Sequence, residues 1–152
     1  MPINYIKKYL SNEDLDEIRD YIAEIEKNTS GEIRVCFHER KAWIDRKKNS
    51  REIAIREFFK LGINKTEQKT GVLLLILFRE KLFEVIADEG INSRIDKAKW
   101  EKITGLLTSE FRNGNYKTGI LKSLEEIKNV LVIDFPRTDD DRNELPDDIV
   151  IE

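Results

Sequence analysis

The chain has a single cysteine, Cys36, which excludes an internal disulfide and a cysteine-rich zinc site. That economy suits a reducing compartment. The first ten residues carry neither an apolar core of signal-peptide length nor a small-residue cleavage site, so a cytoplasmic location is expected. Long apolar runs are also lacking. The longest, Val72 to Phe78, has seven residues, where about 20 are needed to cross a bilayer, so a soluble protein without membrane contact is expected. There is no glycine-rich phosphate cradle, no Cys-x5-Arg loop and no Asp-x-Asp following a strand, so no familiar phosphatase machinery is visible. Internal repeats and low-complexity segments are absent too.

What is present is a composition of 38% charged and 39% apolar residues over 152 positions, which describes one globular core under a heavily solvated surface. The net charge of -3 is unevenly spread. Residues 134–152 carry -6 and residues 1–133 carry +3, which suggests an α/β domain over 1–133 and an acidic tail over 134–152 packing on or near it.

The unbroken apolar run at 72–78 fits a central strand buried on both faces. Arg79, Glu80 and Lys81 interrupt it, and the looser alternation over 82–88 makes a hairpin partner. Upstream, Ile33, Val35 and Phe37 alternate with Glu32, Arg34, Cys36 and His38, the pattern of a half-buried strand over 32–37. A helix between this strand and the central one makes those two parallel and the sheet mixed. Four helices are expected over the sheet. The first follows a Ser11 cap, with Leu15, Ile18, Ile22 and Ile25 on its stripe. The second runs from Ser50 to about Leu61, with Ala54, Ile55, Phe58 and Phe59 apolar. The third, capped by Asn92 or Ser93, carries Trp100, Ile103, Leu107 and Phe111, and the fourth carries Tyr116, Ile120, Leu124, Ile127 and Leu131. The tail shows too little periodicity for a further long element.

Several segments in this order resemble the TPM domain family, found in photosystem II repair proteins, a receptor auxiliary subunit and many bacterial membrane proteins. They are Thr29 to Val35, the Gly71 to Ile76 strand, the Ala87 to Ile91 turn and Phe111 to Ile120. The ending from Phe135-Pro136 through Ile149 is similar to that of a small branch without a membrane helix. The resemblance implies an α/β sandwich, a divalent-cation site and the acid-phosphatase activity claimed for some members. Two motifs depart from it. Lys69-Thr70-Gly71 stands where the family has Asp-Asn before the central glycine, and Asp88-Glu89-Gly90 stands where a Gly-Tyr-Gly is usual.

The candidate metal ligands are acidic: Asp88 and Glu89 at the end of the hairpin, and Asp139, Asp141, Glu144 and Asp147 in the tail. Clustered carboxylates supply the oxygen ligands that Ca or Mg requires. The alternative is a solvated acidic run, and the spacing is not that of an EF-hand. Asp96 is a further candidate, standing where the family often carries an aspartate, but a helix-start role alone would explain it and is the preferred reading. Arg94 is the nearest basic helper for a phosphate. Cys36 and His38 share a strand face, but neighbours on one face diverge, and a partly covered structural pair is expected. The basic stretch Arg40 to Arg56 is diluted by Glu39, Asp45 and Glu52, so nucleic acid is not expected and Trp43 reads as a packing anchor.

Two functions follow. One is a divalent-cation-binding domain with weak phosphatase activity; the other is a non-catalytic module that recognises a protein partner through the groove beside the hairpin. The oligomeric state is not encoded in any of these features.

Overall fold

The computed structural model describes residues 2–138, 145 and 148–152. It shows a single α/β domain with a four-stranded mixed sheet. The strands are β1 (Glu32–His38), β2 (Gly71–Leu77), β3 (Leu82–Ala87) and β4 (Ile149–Ile151), in the order β3-β2-β1-β4. β1 and β2 are parallel, with Glu32 opposite Gly71 and His38 opposite Leu77, while β2 and β3 form the antiparallel hairpin. β4 pairs in parallel with the other edge of β1, placing Phe37 opposite Ile151. Among the described residues, no helix is long and apolar enough to cross a membrane.

The helices are α1 (Asn12–Glu26), α2 (Ser50–Lys60), α3 (Glu89–Asn92), α4 (Lys97–Arg112) and α5 (Tyr116–Asp134). α1 begins on a complete capping box, with Ser11 Oγ accepting from the Asp14 amide and Asp14 accepting from the Ser11 amide. α4 is capped by Asp96, whose carboxylate accepts from the Ala98 amide, so the cap is Asp96 and not Asn92 or Ser93. The intervening turn forms α3, capped by Asp88.

Two cores result. On one face of the sheet, α1, α4 and α5 bury Ile33, Val35, Phe37, Leu74, Ile76 and Phe78. On the other, α2 covers Cys36, Leu73, Leu75 and Leu77. β1 is therefore buried on both faces rather than half-buried. α2 presents Ile53, Ala54, Glu57 and Phe58 inward and leaves Ile55 and Phe59 exposed. The apolar residues alone did not fix that phase, because a carboxylate, Glu57, occupies one of the inward positions.

Candidate functional site

All three parallel strands end at the same side of the sheet, and the crevice beyond such carboxyl ends is where open α/β sheets hold ligands. His38 closes β1, with Cys36 two residues earlier on the same face. Glu57 reaches down from α2, and Glu152 follows β4, its amide donating to the Phe37 carbonyl at 2.8 Å. The pairing of β4 with β1 is thus what carries Glu152 to His38. One ligand atom from each of Cys36, His38, Glu57 and Glu152 lies within 4.8 Å of the other three. His38 Nε2 is 3.0 Å from Glu152 and 3.8 Å from Glu57.

The group is inward-facing. Cys36 is fully buried and Glu57 is 1% exposed, and Glu57 Oε2 has no hydrogen-bond partner among the described residues. Burial, and then the neighbouring Glu152, push the Glu57 carboxyl above the usual carboxylate range. Burial likewise raises the Cys36 thiol well above its ordinary value, which favours the protonated thiol when no metal is bound. Lys60 stands on the solvent side, 3.2 Å from Glu152 and 3.9 Å from Glu57.

Three of the four, His38, Glu57 and Glu152, line a cleft of about 1330 Å³ whose walls include Arg40, Lys41, Trp43 and Arg56, while Cys36 is buried beneath the surface. Arg56 holds the buried Asp45 with two bonds of 2.7 Å, keeping that carboxyl below its usual range. Trp43 is 78% exposed, so it is not a core anchor; the Arg46 guanidinium lies 3.9 Å from its ring centre.

The acidic residues singled out from the sequence lie elsewhere. The Asp88 amide bonds the Gly71 carbonyl, which puts Asp88 at the amino ends of β1 and β2, about 20 Å from His38 at strand spacing. Its Oδ1 accepts from the Glu89 amide at 2.8 Å, and its Oδ2 is buried without a hydrogen bond among the described residues. Glu89 is exposed. Among the described residues, neither of these nor Asp96 belongs to a group of three or more metal-type side chains. Arg94 stacks over Phe135 at 5.3 Å. Asp139, Asp141, Glu144 and Asp147 lie outside the described residues. Cys36 and His38 were visible in the sequence as a same-face pair, but their partners Glu57 and Glu152 carried no local signal, being 19 and 114 positions beyond His38.

Among solved structures, the chain is similar to the BA42 protein from the psychrophilic bacterium Bizionia argentinensis. The identity is 32%, with a TM-score of 0.82, over 93% of this chain and 94% of that one. The N-terminal domain of a protein from P. gingivalis shares the fold at 16% identity and a TM-score of 0.66, over 80% of this chain and 76% of that one. No curated protein matches. The TPM domain family model matches residues 4–130 of this chain, and the chain belongs to the TPM domain family.

Proposed function

We propose that this domain binds one divalent metal ion of the zinc class through Cys36, His38, Glu57 and Glu152. The observation that carries the proposal is the convergence of four ligand atoms of three chemical kinds within 4.8 Å, two of the side chains being essentially buried. A tetrahedral ion with bonds of 2.0–2.3 Å sets its ligands about 3.3–3.8 Å apart, so the side chains need contract by only about an ångström. Thiolate and imidazole favour a borderline transition metal over Ca or Mg, which prefer oxygen alone. Such a site requires a reduced thiol, in keeping with a cytoplasmic location. A metal at the base of a cleft bordered by Arg40 and Lys41 is also the arrangement that would support slow phosphate-ester hydrolysis.

Titration with Co(II) tests this. One equivalent should give thiolate-to-metal charge-transfer absorption that is lost in Cys36→Ser and in His38→Ala and kept in Asp88→Asn. Absence of saturable absorption, or its survival in Cys36→Ser, would overturn the assignment. Amide NMR with Ca and Mg covers the hard-ion case, since saturable shifts at Asp88 would move the site to the opposite end of the sheet. Hydrolysis of a phosphate monoester by the metal-loaded protein, lost with Glu57→Gln, would support the catalytic component. The interaction-module alternative is favoured by the exposed Trp43, Ile44 and Phe59 and does not compete for the same residues.

A further inference from the structure

β3 ends the sheet, and its outer edge is the floor of a second groove of about 610 Å³. Which of its backbone groups face that groove follows from one hydrogen bond. Asp88 donates to Gly71, so 88/71 is a bonded pair, and the alternation of an antiparallel ladder makes 86/73, 84/75 and 82/77 bonded as well. The remaining residues, Phe83, Val85 and Ala87, therefore direct their N–H and C=O groups away from β2. Each of these three lines the groove. One wall is Arg51 of α2; the other is Ile95 and, from α4, Trp100 and Glu101. β3 has neither a bulge nor a proline, two of the devices that commonly block a free edge.

A separate observation points to an occupant. Trp100, a residue of the groove wall, is 8% exposed, and its indole N–H, itself buried, has no acceptor among the described residues. Buried indole donors are normally paired. The charges beside it are mutually matched: Arg51 lies 3.9 Å from Glu84, and Lys97 lies 3.9 Å from Glu101. The walls thus offer no net field for a polyanion.

We propose that this groove binds an extended segment of a partner protein, of low net charge, which adds to the sheet as a strand beside β3 and supplies an acceptor to Trp100. A donor and an acceptor repeating at every second residue match the backbone of an extended peptide and no compact small molecule. A second copy of this chain is a poorer fit, because its own β3 is flanked by the same two helices, which would meet these walls. The site is separate from the Cys36 cluster and does not depend on the metal assignment.

The test is to pan a phage-displayed library of random short peptides on the full chain, synthesise the strongest binder and map it by amide NMR. The expected result is a saturable interaction with shifts centred on Phe83, Val85, Ala87 and the Trp100 indole, and cross-strand contacts to β3. Ala87→Pro removes an outward N–H without breaking a bond to β2, and it should weaken binding at least tenfold. Trp100→Phe should weaken it several-fold, and Co(II) binding should be unchanged in both. If Ala87→Pro does not fold, a peptide N-methylated at alternate amides replaces it and should lose affinity by the same factor in one methylation phase only. Failure to enrich any peptide, shifts centred elsewhere, insensitivity to both blocks, or self-association through β3 would each overturn the proposal.

Discussion

Glu57 and Asp45 are both nearly buried carboxylates near the cleft, and their surroundings push them in opposite directions. Asp45 is held low, chiefly by its hydrogen bonds to Arg56, so the unfolded chain takes up its proton more readily than the folded one. Its contribution to stability is present above the ordinary carboxylate pKa of about 4 and is lost as the pH falls below it. Asp45→Asn should cost about 2 kcal/mol at neutral pH and flatten the acid limb of a pH–stability curve measured by urea unfolding. Glu57 is raised by burial, so its protonated form favours folding below about pH 4, and that advantage is lost as the pH rises through its elevated value. Glu57→Gln should therefore be more stable than the parent at pH 7, by about 1 kcal/mol, while losing metal affinity. A variant that is destabilised at pH 7 would contradict this account. The trade is the one expected where a strained group is kept for binding.

At the scale of the element, two glycines have a steric explanation. A Cβ on Gly71, the first residue of β2, would stand 2.5 Å from Ile63 Cγ2 and 2.7 Å from the Ile63 carbonyl. A Cβ on Gly90 in α3 would stand 2.5 Å from the Lys69 carbonyl oxygen, which is backbone and unable to yield. Gly90→Ala should lower stability by about 2 kcal/mol through overpacking, read as a shift in the urea midpoint without a change in slope. The cap of α1 offers a milder case: Ser11→Ala removes one half of the capping box and should cost about 1 kcal/mol.

For the whole molecule, the proposed ion would join β1, α2 and the residue following β4, elements that are otherwise held together by the second core. Binding to the folded state alone stabilises by about 2.7 kcal/mol at a hundred times Kd, equivalent to about 5–10 °C in a domain of this size. Thermal unfolding with and without Zn(II) measures this, and Glu152→Gln should remove most of the shift. Hydrogen exchange of the β4 amides should slow on metal binding; unchanged exchange would mean that Glu152 is not a ligand.

The sequence by itself determined most of the longer elements. Apolar residues recurring every three or four positions marked α1, α4 and α5, the seven-residue run marked β2, and the Ser11 box marked the start of α1, because periodicity and capping are local physics. It also showed the family, through motifs whose order is local in the same sense. The tertiary structure alone decided which residues meet. The pairing of β4 against β1 brought Glu152 to His38, the phase of α2 turned Glu57 inward onto Cys36, and the position of β3 at the end of the sheet left Phe83, Val85 and Ala87 facing a groove. A short strand of Ile-Val-Ile has almost no periodic signal, and a buried glutamate looks like any surface charge on a helix. Register and helix phase depend on the packing of the whole core, and no window of neighbouring residues contains that information.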